Sequence, residues 1–272
     1  MSNDPSRLQR TSCWGGATLE MGSIWRKPSR RTVSSTDVAL PSSSCARTAI
    51  RRACARLTGL DFTEFTLSHL PPARQRVLEV GCGRDGGIAP ALAHAGHDVL
   101  AIDPEAPDGP LYRRIKLEEL DDPGPFDAVV ASRVLHHVQP LGPALDKLAR
   151  LAPLLLLDEF AWNHMDEPTT DWYESQHRLL VAAGHPPKGP PDLAEWRSRH
   201  AGLHPYETLR GELDARFDTE LFEWRPYLYR WLDGPASEAL ESALIDAGAI
   251  RPIGFRYVGR TSSKRAPTAS GS

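Results

Sequence analysis

Arg76-Val77-Leu78-Glu79-Val80-Gly81-Cys82-Gly83-Arg84-Asp85-Gly86-Gly87 is the stretch that sets the fold of this 272-residue chain. A short, largely apolar run ends in a glycine cluster, and Ile88-Ala89-Pro90-Ala91-Leu92-Ala93 follows as a helix-forming run. Strand, glycine turn and helix in that order make a ligand site of the nucleotide type. Glycine is needed there because a Cβ or a side chain at positive φ would hold the backbone away from a ligand lying across the strand end. Amides at the start of the helix then point toward that ligand.

Outward from this unit the chain alternates strands and helices. Apolar runs and breakers predict strands at 76–80, 98–102, 126–131 and 153–158, with helices at 86–95 and 141–151. Ala128-Val129-Val130 and Leu154-Leu155-Leu156-Leu157 are apolar on both faces, as a parallel sheet covered by helices requires. Upstream, Phe62, Phe65, Leu67 and Leu70 recur at near-helical spacing before Pro71-Pro72, predicting a first helix that caps the domain. Downstream, aromatic residues crowd the chain from Trp162 to Trp231. That segment predicts helices at 168–183, 192–199, 205–216 and 235–247, and strands at 218–224 and 252–259.

Charge and cysteine usage limit the function classes. Residues 1–60 carry 10 Lys and Arg against 3 Asp and Glu, whereas residues 61–272 carry 22 against 32. An acidic body argues against a nucleic-acid face, which needs clustered cations. The apolar runs fall short of the ~20 residues of a membrane span, and the first residues lack the apolar core of a secretory signal, so a cytoplasmic location is expected. Cys13, Cys45, Cys54 and Cys82 show neither metal-ligand nor disulfide spacing. Residues 1–57, rich in Ser and Arg, predict a disordered extension, and residues 261–272 a disordered tail. The domain is expected over 58–260.

Gly81-Cys82-Gly83-Arg84-Asp85-Gly86 spells GxGxxG, which alone suggests a dinucleotide. Glu79 pulls the reading elsewhere: a carboxylate two residues before the first glycine would repel phosphates but suits a ligand carrying an ammonium group. With Val77-Leu78-Glu79-Val80-Gly81-Cys82-Gly83, then Ala101-Ile102-Asp103-Pro104, then Phe126 to His137, the chain resembles the class I S-adenosylmethionine-dependent methyltransferases over about residues 60–160. The resemblance implies a Rossmann-like α/β fold, a mostly parallel seven-stranded sheet with helices on both faces, here extended by an aromatic, helical C-terminal segment. It also implies S-adenosylmethionine as the methyl donor. Glu79, Gly81, Cys82 and Gly83 would hold the donor's amino-acid end, and Asp103 its ribose. Pro104 and the Leu117 and Glu118 loop would meet the adenine, and Ser132, at the fourth strand's end, would join the donor-binding set. In the Lys116-Leu117-Glu118 loop the family's usual acid is absent, so the adenine contact falls to the Leu117 backbone and to Glu118.

Donor and acceptor halves are expected over 58–160 and 161–260. Methyl transfer from a sulfonium is an in-line displacement that positioning can accelerate without an obligatory base. Where a base is used, His136 and His137 are the candidates, lying just past the fourth strand; their competing role is loop packing. Glu159, Trp162, Asn163, His164, Trp172 and Tyr173, leaving the fifth strand's carboxyl end, are candidates for an acceptor pocket, with His177 beside them. The competing reading packs these aromatics as an auxiliary layer over the sheet. With neither a basic groove nor a peptide-binding element, a small-molecule acceptor leads. A nicotinamide-dependent (NAD(P)) oxidoreductase and a non-catalytic binding protein on the same scaffold are the alternatives.

Overall fold

The computed structural model describes residues 61–121, 124–200 and 202–262, which fall in one compact unit. The expectations for residues 1–57 and for the tail from 263 lie outside the described residues.

Helix α1 (Phe62–His69) starts at a capping box, with the Asp61 carboxylate accepting the Glu64 amide at 2.8 Å and Glu64 accepting the Asp61 amide at 3.3 Å. Strand β1 (Arg76–Val80) follows, then the glycine turn and helix α2 (Ala89–His94). Next come β2 (Asp98–Ile102), a two-residue strand β3 (Tyr112–Arg113) and β4 (Ala128–Ser132). Helix α3 (Leu141–Leu151) buries Leu141, Ala144, Leu145, Leu148 and Leu151, one stripe at helical period, against the sheet. Strand β5 (Leu154–Phe160) is buried at every residue. Helices α4 (Glu167–Ala182), α5 (Leu193–Arg199) and α6 (Tyr206–Asp214) precede β6 (Phe217–Arg225), helix α7 (Pro235–Asp246) and β7 (Gly254–Thr261).

The seven strands form a single sheet in the order β3-β2-β1-β4-β5-β7-β6. Strands β1 to β5 pair in parallel, and β7 runs antiparallel to both β5 and β6. From β1 the chain builds outward through β2 and β3, then returns to place β4 on β1's other side. The switch point therefore falls between β1 and β4, where an open α/β sheet opens a crevice at its carboxyl edge. Leu78, Val80, Val129, Leu155 and Tyr257 face one apolar cluster with α3 and α6, while Val77, Val130, Leu156 and Val258 face another with α1 and α2. A third cluster, built on Phe160, Tyr173, Tyr227 and Leu228, caps the carboxyl end.

Three expectations need correction. Helix α2 begins at Ala89 rather than 86, because Gly86 and Gly87 hold φ of 82° and 58°, outside the right-handed helical region. Strand β3 was missed, since two residues carry no period. Strand β7 ends at Thr261, with Arg260 paired to Leu154, so the sheet extends one residue past the expected domain end.

Candidate active site

Gly81 and Gly83 leave β1 at φ of 82° and 61°. The Gly81 amide donates to the Ile102 carbonyl at 2.9 Å, which ties the turn to the end of β2. A Cβ on Gly81 would come within 2.6 Å of the Val134 side chain, so the chain leaving β4 can cross the turn only because this residue lacks one. Beside Gly83 a Cβ would meet nothing within 4 Å, and that side of the turn is open.

Glu79 is 2% exposed. Its Oε1 accepts the Ile88 amide at 2.9 Å, and its Oε2 is buried without a hydrogen-bond partner. Burial pushes its carboxyl up to about 7, against the lowering effect of the Ile88 and Ala89 amides. Helix α2 has no side-chain cap at Ile88, whose own amide is the one that Glu79 accepts. Burial and the neighbouring Glu79 and Asp103 carboxylates push the Cys82 thiol up to about 12, which keeps it protonated and not nucleophilic.

Asp103 stands at the end of β2, its Oδ1 accepting the Glu105 amide at 2.7 Å. Two cavities meet here. The smaller, about 530 Å³, is lined by Asp103, Pro104, Leu117 and Glu118, with Gly81 and Val134 at its inner side. The larger, about 940 Å³, runs from Glu79, Cys82, Gly83 and Asp103 past Ser132, His136 and His137 to Phe160 and Tyr227. Gly81, Asp103, Val134 and His137 line both. Every residue expected at the donor therefore borders one continuous space.

His136 is 5% exposed, and its Nδ1 lies 2.7 Å from Oε2 of Glu159. Glu159 also accepts the Val134, Leu135 and Phe160 amides at 2.8, 2.7 and 3.1 Å. Burial raises the Glu159 carboxyl, but His136 and these amides outweigh it and hold the group below its ordinary value. The carboxylate thus orients the imidazole through Nδ1, leaving Nε2 on the other side of the ring. His137 packs on His136 at 4.3 Å between ring centroids, and burial and that neighbour lower its basicity.

The expected acceptor residues are placed differently. Glu159 is wholly buried in the role just described, and it lines neither cavity. Trp162, Asn163, His164, Trp172 and Tyr173 line neither as well. The Trp162 indole donates to the His204 carbonyl at 3.0 Å, and Asn163 and His164 bind Glu207 at 2.7 and 2.9 Å. The Tyr173 hydroxyl donates to the Pro190 carbonyl at 2.8 Å, and His177 meets the Gly189 carbonyl at 3.2 Å. Trp172 packs against the third apolar cluster. These bonds tie the chain leaving β5 to Pro190, His204 and Glu207.

The cavity's far wall comes from other residues. Phe160 and Tyr227 stack at 4.3 Å, Trp231 meets both edge-on at 5.4 and 5.5 Å, and Trp196 lies 5.3 Å from Trp231. Arg133, Arg230 and Arg256 line the same wall. The turn carrying Tyr227 to Arg230 is fixed by Glu241, buried on α7, which accepts the Tyr227, Leu228 and Tyr229 amides at 2.7, 3.0 and 2.7 Å. Burial raises the Glu241 carboxyl against the lowering effect of those amides. Tyr227 and Trp231 were legible as aromatics, but nothing local in the sequence joined them to the strand ends.

The sheet order, the glycine turn at its switch point and the acid ending β2 define a class I methyltransferase fold. A family model described as a methyltransferase domain matches residues 47–207, and the chain belongs to that family. Over 95 residues it is 38% identical to a protein named an uncharacterized methyltransferase from Mycobacterium bovis, covering 30% of this chain and 47% of that protein. Over 89 residues it is 32% identical to a ubiquinone biosynthesis O-methyltransferase from Rhodopseudomonas palustris, covering 28% and 35%. The chain thus spans about half or less of the length of these relatives. A solved S-adenosylmethionine-dependent methyltransferase from Mesorhizobium loti aligns with a TM-score of 0.47 at 20% identity, covering 71% of this chain and 94% of that one.

Proposed function

We propose that this chain transfers a methyl group from S-adenosylmethionine to a small molecule. The observation that carries the reading is one cavity bordered by the glycine turn, the Asp103 carboxylate and the buried, unpartnered Oε2 of Glu79. These residues fit the donor. The open side of Gly83 gives room for its amino-acid chain, Glu79 offers an anionic acceptor for its ammonium, and Asp103 has an oxygen for the ribose hydroxyls. Pro104, Leu117 and Glu118 border the space beside Asp103 where the adenine would lie.

Bound there, the sulfonium supplies a methyl group already attached to its leaving group. The chain's task is then to align the acceptor, exclude water and manage one proton. We assign His136 as the base. Glu159 orients the ring through Nδ1, so Nε2 is the atom that would take the proton of the acceptor's O–H or N–H. His137, with lowered basicity, keeps the adjoining wall uncharged. A nicotinamide cofactor fits less well, since the Glu79 carboxylate would oppose its phosphates. A cytoplasmic location belongs to the same reading, supported by the free, buried Cys82 thiol.

Equilibrium binding of radiolabelled S-adenosylmethionine tests this reading. Displacement by S-adenosylhomocysteine but not by NADH is the expected result; displacement by NADH instead would overturn it.

A further inference from the structure

The large cavity carries charges of both signs. Asp61, Glu79, Asp85 and Asp103 line it together with Arg84, which pairs with Glu105 at 3.0 Å, whereas Arg133, Arg230 and Arg256 line it with the acids Asp158 and Glu238. Asp158 stands 2.8 Å from Arg230 and 3.8 Å from Arg256. Arg230 also spends its Nε on the Tyr229 hydroxyl at 3.2 Å and lies 5.4 Å from the centre of the Tyr227 ring. Arg133 follows β4 in the left-handed region, with φ of 54°, where a side chain other than glycine is strained. That conformation brings an exposed guanidinium to the cavity wall, with one long contact to Ser132 at 3.4 Å.

Arg133 and Arg230 meet at one residue: the Arg133 amide donates to the Asp158 carbonyl at 2.8 Å, and Arg230 pairs with the Asp158 carboxylate at 2.8 Å. Burial, with Glu159 and Asp158, pushes the Tyr227 phenol up to about 12 against the lowering effect of Arg133 and Arg230. Trp196, Tyr227 and Trp231 line the same cavity, with one face of Trp196 stacked on His200 at 4.3 Å. Arg230 lies against the Tyr227 ring and Arg133 stays exposed, and the planar fork of a guanidinium binds an oxyanion in charge-assisted pairs.

We infer that the methyl acceptor is a flat small molecule bearing an oxyanion, its ring packed on Trp196 and Trp231 and its anionic group held between Arg133 and Arg230. A carboxylate and a phosphate share the required chemistry. The inference rests on the donor half being as proposed above.

The test keeps the two readings apart. The full chain is first titrated with S-adenosylhomocysteine, and failure to bind sinks the methyltransferase reading and this inference with it. The saturated complex is then titrated calorimetrically with 2-naphthoate, 2-naphthyl phosphate and the neutral 2-naphthamide. At least one acid should bind about tenfold or more tighter than the amide, as a charge-assisted pair predicts. The tighter acid distinguishes carboxylate from phosphate. Arg133→Gln, an exposed change that leaves packing alone, and Arg230→Gln should each bring the acid to within about threefold of the amide without weakening the amide. Equal binding of acid and amide, no acid binding by a complex that holds S-adenosylhomocysteine, or a preference that survives Arg133→Gln would overturn the inference.

Discussion

The carboxylate of Glu79 reaches from inside β1 to the Ile88 amide at 2.9 Å, closing the glycine turn with one oxygen while the other stays buried and unpartnered. One side chain thus shapes the turn and presents a proton-binding oxygen to the cavity. Because burial places its carboxyl near 7, a ligand carrying an ammonium group binds best when that proton is gone.

Affinity for S-adenosylhomocysteine should therefore rise roughly five- to tenfold between pH 6 and pH 7.5, with proton release on binding. Glu79→Gln keeps an oxygen for Ile88 and should flatten the profile. Calorimetry in buffers of different ionisation enthalpy reads both. In the unliganded chain the sign is reversed: the folded state retains a proton that the unfolded state loses above about 4.5, so this group's contribution to stability falls as pH rises from there to about 7.

Two glycine variants should part company. A Cβ at Gly87 would stand 2.0 Å from Oε1 of Glu79 at φ of 58°, so Gly87→Ala should lose roughly 2–4 kcal/mol in urea denaturation. Gly83→Ala, with open space beside it, should lose only about 1–2 kcal/mol for its positive φ yet weaken donor binding, since the new methyl enters the cavity.

Glu159 holds the Val134 to His136 loop through two amides and one imidazole, and accepts the Phe160 amide as well. Glu159→Ala orphans all four and should cost roughly 3 kcal/mol or more. Its depressed folded pKa means that its stabilisation is present above the unfolded value of about 4.5 and is lost as pH falls through the folded one. Acid unfolding monitored by circular dichroism should show that loss in the wild type, and the acid limb should shrink in Glu159→Gln.

Much of the donor half was legible because its signals are local. Four strands, α3 and the glycine turn follow from apolar runs and breakers within ten residues, and Asp103 follows from the end of a strand. The acceptor half was not, because its wall is assembled by tertiary return. The chain leaving β5 packs Trp162 to Tyr173 outside the cavity, while Tyr227 to Trp231 come back about seventy residues later by way of the antiparallel β6 and β7 pair and the hold of Glu241. The density of arginine and aromatic residues from Arg225 to Trp231 was the available signal, but a composition cannot say which wall it will join.

Glu241→Ala should release that turn. Three buried amides lose their acceptor, costing roughly 2–4 kcal/mol of stability, and the quenching of Trp231 fluorescence by acrylamide should rise while S-adenosylhomocysteine affinity stays within about twofold. Unchanged quenching would show that the wall does not depend on this carboxylate.

The most direct measurement of the central claim is a calorimetric titration of S-adenosylhomocysteine into the wild type and into Asp103→Ala. Asp103 is half-buried and its side chain is tied to the protein through the Glu105 amide, so its loss should leave the fold intact. The account predicts one-to-one binding by the wild type and a loss of about tenfold to a hundredfold in the variant, the value of charge-assisted bonds to the ribose hydroxyls. No binding by the folded wild type, or equal affinity in the two proteins, would contradict it.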